Sequence, residues 1–241
     1  MTKEKFFGTP VLAGGREELY RAAAAALYRG GRIATVNPEM LEAARTDAAF
    51  SDLLSGFLCL PDGCGVTLAM KRRGVRSDTL PGVDLAARLL SSGALSVGLL
   101  GGVPGVAEHA MHRLQKRNPD LTAAFLFDGY TFLEEEVRAA LRKTTPDVLL
   151  VALGTPRQEK LIGCMAKESP RTLCIGVGGA LDVFAGRIRR APEYVRKLRL
   201  EWLWRAVRQP RRFLRFPAIF RFLYYAEREK WTKRKEKAPT F

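Results

Sequence analysis

The sequence predicts an α/β fold, a parallel sheet with helices on both faces, followed by a basic, aromatic-rich helical appendage. Three observations predict it: short, wholly apolar runs recur along the first 180 residues, each runs into a polar or glycine-rich turn, and composition changes near residue 187. Wholly apolar strands alternating with helices belong to parallel sheets buried on both faces. A chain of 241 residues with 47% hydrophobic residues holds enough apolar material for one core, and single cores grow to roughly 250 residues. Disorder is excluded, and two full domains would be cramped.

In chain order, residues 16–29 are Ala-rich, with Leu19, Leu27 and Tyr28 on one side, and predict a helix. Arg32-Ile33-Ala34-Thr35-Val36 reads as a strand; Asn37-Pro38 then supplies an N-cap and a first-turn proline for another helix. The order recurs in Gly56-Phe57-Leu58-Cys59-Leu60 before Pro61-Asp62-Gly63, and in residues 95–100 before Gly101-Gly102-Val103-Pro104-Gly105. It recurs again in residues 147–153 before Gly154-Thr155-Pro156, and in residues 172–175 before Gly176-Val177-Gly178-Gly179. The uncharged run 89–107 contains five glycines and Pro104, which suits a turn, a strand and a loop and not a membrane span. Ligands of such sheets sit outside the carboxyl ends of the strands. The polar turns are therefore the candidate site.

Of the 40 Lys+Arg and 25 Asp+Glu, 18 and 5 fall in Arg187–Phe241, a net +13 of the total +15. That leaves +2 for residues 1–186, read as the folded body; residues 187–241 form the appendage, which also holds all three tryptophans. Basic aromatic segments attract nucleic acid or an anionic membrane surface. The aliphatics packed beside the aromatics in residues 211–225 favour the membrane interface; the alternative is that these aromatics pack on the body. Cys59, Cys64, Cys164 and Cys174 lack zinc or disulfide spacing and read as free thiols. The N-terminus has no apolar signal region, which predicts a cytoplasmic protein.

No metal is expected, since His109 and His112 stand without a ligand set and no Asp-x-Asp pair exists. Gly176-Val177-Gly178-Gly179 begins like a dinucleotide fingerprint but carries Leu181 at the third glycine position, and no P-loop occurs. No redox or nucleotide cofactor is implied, although bare backbone at helix starts can hold a diphosphate. A lone carboxylate is the simplest catalyst, and Asp62 stands at a strand's carboxyl end. Pro-Asp-Gly also makes turns with no catalytic purpose. Asn37 reads equally as an N-cap, Gln158 as the partner of Thr155 in a capping box, and Thr35 as a strand residue.

Thr35-Val36-Asn37-Pro38-Glu39, Pro61-Asp62-Gly63-Cys64-Gly65-Val66, Leu99-Leu100-Gly101-Gly102, Gly154-Thr155-Pro156-Arg157-Gln158-Glu159-Lys160, Gly176-Val177-Gly178-Gly179-Ala180-Leu181-Asp182, Arg190-Ala191-Pro192 and Glu201-Trp202-Leu203-Trp204-Arg205 resemble the WecG/TagA/CpsF glycosyltransferases. The resemblance implies a Rossmann-like body and an inverting, metal-independent transferase. Its donor would be a UDP-sugar, typically of N-acetylmannosamine or its uronate, and its acceptor an undecaprenyl-diphosphate-linked saccharide in cell-surface polysaccharide or teichoic acid synthesis. It implies Asp62 as general base; Thr35, Asn37 and Gln158 as sugar-pocket residues; and Arg205, Arg212 and Arg215 as contacts to the donor diphosphate. Tyr130, Asp182, Gly102 and Gly178 would contact the nucleotide. It also implies peripheral attachment to the inner face of the plasma membrane, self-association, and no nucleic-acid partner. The family usually carries an arginine three residues before Gly82-Val83-Asp84-Leu85, where this chain has Thr79 with Arg76 nearby. Two alternatives remain: a nucleic-acid-binding protein with a basic arm, or an inactive transferase homologue serving in membrane assembly.

Overall fold

The computed structural model describes residues 1–193, 195, 201–208 and 216–236, apart from the side chains of 202, 205, 208 and 233–236. The chain opens with β1 (Thr2–Phe6) and β2 (Thr9–Ala13), then α1 (Arg16–Ala25), β3 (Gly31–Val36), α2 (Pro38–Thr46), α3 (Ala48–Ser55), β4 (Leu58–Pro61), α4 (Cys64–Arg72) and α5 (Gly82–Leu89). It continues with β5 (Ser96–Gly101), α6 (Val106–Gln115), β6 (Thr122–Phe127), α7 (Glu134–Thr144), β7 (Val148–Ala152), α8 (Arg157–Met165), β8 (Leu173–Gly176) and α9 (Ala180–Phe184). Two appendage helices follow, α10 (Glu201–Arg208) and α11 (Phe216–Glu236).

One sheet runs in the order β1-β2-β4-β3-β8-β7-β5-β6. Only β1, paired with β2, is antiparallel, so the predicted parallel α/β architecture is present. Strand side chains alternate between the two faces. In β7, Val148 and Leu150 join one core with α1, α5, α6 and α9, while Leu149 and Val151 join the other with α2, α3, α4, α7, α8 and α11. Leu150 is fully buried; truncating such a leucine to alanine costs about 2–5 kcal/mol.

Three features depart from the sequence reading. Residues 26–29 form turns and not more helix, with the first helix ending at Ala25. The β1–β2 hairpin and β6 were not expected from the sequence; β1 is mostly polar, whereas β6 is an apolar run that forms a half-exposed sheet edge. Finally, α11 is packed on the body, as the alternative reading of its aromatics had it for part of them. Phe222 is fully buried against Phe6 and Phe7, with ring centroids 5.7 and 6.2 Å apart. Phe220, Tyr224 and Trp231 face outward at 58–68% exposure.

Charged side chains fix the direction of α11. Glu42 takes both Arg45 (2.8 and 2.9 Å) and Arg221 (3.3 Å), and the Arg45 guanidinium lies 3.9 Å over the Tyr225 ring. Arg73, nearly buried at the end of α4, donates to Glu4 (2.9 Å), the Lys5 carbonyl (2.7 Å), the Ala226 carbonyl (2.6 Å) and Glu229 (2.9 Å). Contacts of α11 thus move toward the C-terminal end of α2 as its numbering rises, and residues 226–230 meet the C-terminal end of α4. It therefore runs alongside them, with Phe216 at the end nearer the carboxyl edge of the sheet.

Candidate functional site

The carboxyl ends of β4, β3, β8, β7, β5 and β6 stand in that order along one edge of the sheet, and all but β6 open into one of the turns singled out by the sequence. Asp62 directly follows β4. Its N–H donates to the Val36 carbonyl (2.8 Å), and the Leu80 N–H donates to Pro61 (2.9 Å), so the turn is held between β3 and the loop leading to α5. Gly63 begins α4 at φ +85°, a backbone that favours glycine. The Asp62 side chain is half-buried at this edge.

On the adjacent strand end, Asn37 caps α2 as expected, its Oδ1 accepting from the Met40 N–H at 2.9 Å. Its Nδ2 takes no part in the cap. Thr35, nearly buried, donates to the Gly176 carbonyl of β8 at 3.4 Å. A Cβ on Gly82, where α5 starts, would stand 2.9 Å from Thr35 Oγ1 and 3.5 Å from Val177 Cα. The start of α5 thus presses against both strands.

Gln158 corrects the capping-box reading. Pro156 occupies the cap position of α8, so Thr155 meets the residue four positions on, and its hydroxyl donates to Glu159 Oε2 at 3.0 Å. Gln158 instead reaches across to the β8 loop, accepting from the Gly178 N–H at 3.1 Å while its Nε2 donates to Glu159 Oε1 at 2.6 Å. Glu159 is fully buried, and desolvation pushes its carboxyl up against the opposing hydrogen bonds from Gln158 and Thr155.

The remaining nucleotide candidates are more dispersed. Gly101 and Gly102, at φ +136° and +77°, end β5, and the Gly102 carbonyl accepts from Gly129 N–H at 2.8 Å. Tyr130 is 75% exposed beyond β6, in a turn made by Asp128, whose carboxylate accepts from the Tyr130 and Thr131 N–H groups at 2.7 and 2.8 Å. Hydrogen bonds, first from the Thr131 hydroxyl, hold the Asp128 carboxyl below its ordinary value. Asp182, half-buried in α9, lies 3.9 Å from Arg187 Nε. Gly178, at φ +51°, leaves open space where a side chain would be. Thr35, Asn37, Asp62, Gln158 and Gly178 thus occupy neighbouring strand ends, and Gly102 and Tyr130 lie farther along the edge. The side chain of Arg205, and Arg212 and Arg215 entirely, lie outside the described residues.

Sequence reasoning missed an ion cluster behind this site. Arg190 joins Asp84 and lies 3.5 Å from Glu201, while Arg16 meets the other Asp84 oxygen at 2.8 Å. The three motifs carrying Asp84, Arg190 and Glu201 were visible, but only the fold shows that they converge. Thr79 lies half-buried one residue before Leu80, and Arg76 is exposed. Among the described residues no group of three His, Cys, Asp or Glu could hold a metal ion, and His109 Nδ1 lies 2.6 Å from the Gly105 carbonyl of its own helix. No helix among them is long and apolar enough to cross a membrane.

The model of the glycosyl transferase WecG/TagA/CpsF family matches residues 4–236. The chain belongs to this family. It is a glycosyltransferase, and the nucleic-acid and inactive-homologue readings are not favoured. Among its relatives is a Bacillus subtilis (strain 168) protein 32% identical over 210 residues, covering 85% of this chain and 82% of the relative. A Staphylococcus aureus (strain MW2) protein is 35% identical over 211 residues, covering 85% and 83%. Both are named N-acetylglucosaminyldiphosphoundecaprenol N-acetyl-beta-D-mannosaminyltransferase.

Proposed function

We propose that this glycosyltransferase moves N-acetylmannosamine from a UDP donor to N-acetylglucosamine carried on undecaprenyl diphosphate, inverting the anomeric centre. Asp62 acts as general base. The acceptor hydroxyl oxygen attacks the anomeric carbon, its proton passes to the Asp62 carboxylate, and the bond to the UDP oxygen breaks with its electron pair leaving on UDP. The observation that carries this reading is the half-buried Asp62 at the carboxyl end of β4, beside Asn37 and Thr35 and near the Gln158–Gly178 bridge. In the proposed pocket Thr35, Asn37 and Gln158 orient the sugars, and Gly102, Gly178, Tyr130 and Asp182 hold the nucleotide.

Charge grows on the diphosphate as the bond breaks, and Arg205, Arg212 and Arg215 would stabilise it there more than in the ground state. The direction of α11 supports this part: Phe216 lies toward the carboxyl edge, and Arg215 and Arg212 precede it by one and four residues. Outward Phe220, Tyr224 and Trp231, with Arg221 and Arg228 on the same stripe, support docking on the anionic inner face of the plasma membrane, where the acceptor is held.

The test is transfer from UDP-N-acetylmannosamine to a short-chain polyprenyl-diphosphate N-acetylglucosamine, followed as UDP release and as disaccharide product. Transfer lost in Asp62→Asn is expected. No product with this pair, but product with another sugar nucleotide, overturns the substrate assignment; full activity in Asp62→Asn removes Asp62 from the mechanism.

A further inference from the structure

The carboxyl of Glu159 is fully buried, and no ion pair reaches it among the described residues. Its two oxygens meet side-chain donors, Gln158 Nε2 on Oε1 at 2.6 Å and Thr155 Oγ1 on Oε2 at 3.0 Å, and its own backbone N–H adds a weaker contact. Burying a carboxylate without a cation is unfavourable unless hydrogen bonds compensate. A neutral amide or an apolar side chain would fill the same space without that penalty. What a carboxylate supplies and an amide does not is an acceptor at both ends.

That property matters because the neighbour is a glutamine. A glutamine side chain has near-identical shape in its two amide orientations, and only its partners choose between them. Here both partners choose alike. The Glu159 carboxylate can only accept, so it takes Nε2; the Gly178 backbone N–H can only donate, so it takes Oε1 at 3.1 Å. One hydrogen on Nε2 and one lone pair on Oε1 remain, each in a defined direction. Through Thr155 the same carboxylate also ties down the turn after β7, and through Gln158 the turn after β8.

We infer that Glu159 is a positioning residue: its buried carboxylate locks the side-chain amide of Gln158, itself only 3% exposed, in one orientation, joining the β7 and β8 turns and fixing the edge of the amide that borders the proposed sugar pocket. Glu159 itself touches no substrate. The inference rests on Gln158 being a sugar-pocket residue, as proposed above, for its catalytic consequence; the lock itself does not.

Two measurements on the full-length chain decide it. In the unmutated protein without substrate, side-chain amide NMR should show the Gln158 protons widely separated and protected from exchange, and Glu159→Gln should collapse the separation while backbone resonances persist. Averaged, rapidly exchanging Gln158 protons in the unmutated protein would overturn the lock, even if the variant fails to fold. In transfer assays, Glu159→Gln and Gln158→Ala should each lower kcat/KM at least tenfold, and the double variant no further than the worse single one. Losses that multiply in the double variant would show that Glu159 acts independently of Gln158. If the unmutated protein transfers none of the tested sugars, the substrate reading fails while the amide spectrum still decides the lock.

Discussion

Burial raises the Glu159 carboxyl above its ordinary value of 4.5, because desolvation outweighs the hydrogen bonds from Gln158 and Thr155. The folded chain therefore keeps this proton to higher pH than the unfolded chain, and its ionisation opposes folding as pH rises from the unfolded value through the raised one. The neighbouring Cys59 thiol, pushed up to about 12 by burial first and by Glu159 second, stays neutral throughout that range. Glu159→Gln carries no charge at any pH. It should melt no lower than the parent at pH 7–8, with its relative advantage shrinking as pH falls toward 4.5, in thermal melts across that range; a lower melting temperature at neutral pH would contradict this. Such a variant would be stable and slow, as expected where a site is held at the expense of stability. Asp62→Asn should likewise lose activity without losing stability. The turn rests on the Asp62 N–H to Val36 bond and on Gly63 at φ +85°, neither of which the substitution touches. Transfer should fall about 10²–10⁴-fold, the usual worth of a general base, with the melting temperature nearly unchanged. Asp62 and Asn37 were legible in the sequence because each sits beside its own punctuation, Gly63 and Pro38. The Gln158 partnership was not, because its acceptor role depends on Gly178, 20 residues later and on another strand.

Among the elements, α11 carries the clearest mechanical test. Phe222 is fully buried against Phe6 and Phe7, so the last described helix is fastened to the first hairpin. Phe222→Ala removes a buried ring, a change that costs about 3–5 kcal/mol when the surroundings relax little. Hydrogen exchange should then speed up in both β1 and α11 while β7 and β8 stay protected. Acceleration confined to α11 would show that the hairpin holds without it. Arg73 joins the same two elements through Glu4 and Glu229, and it was unreadable as a hub because its partners lie 69 and 156 residues away. The βα alternation, by contrast, was plain in the sequence. Its strands are buried on both faces and so read as short, continuous apolar runs bounded by turn residues. β1 escaped notice because it is a mostly polar edge strand, whereas β6 is apolar in sequence and was passed over even though it forms the other, half-exposed edge.

At the scale of the whole molecule, the charge is divided between a nearly neutral body and a basic appendage, which the proposed function assigns to holding the sugars and meeting the lipid. Composition showed that division, but the geometry within the appendage needed the fold, since residues 220, 222, 224 and 225 alternate between solvent and core on a helix read as a single aromatic cluster. Phe220, Tyr224 and Trp231 contribute little to the body's packing because they point outward, with Tyr224 edge-on to Tyr225 at 5.1 Å and beneath the Arg228 guanidinium at 5.8 Å. Replacing all three by serine should leave the melting temperature within a few degrees. On vesicles containing anionic lipid, the proposed docking draws on two sources: insertion of these rings, which salt does not screen, and attraction of the arginines, which salt screens over about 10 Å at 0.1 M. Sedimentation with such vesicles should therefore fall sharply in the triple variant at every salt concentration, and fall in the parent as salt rises. Transfer to a short-chain, water-soluble acceptor should survive the triple substitution, because the rings touch no sugar. A triple variant that sediments like the parent would move the lipid contact elsewhere on the molecule, and one that also lost transfer to the soluble acceptor would make the outward face of α11 part of the site itself.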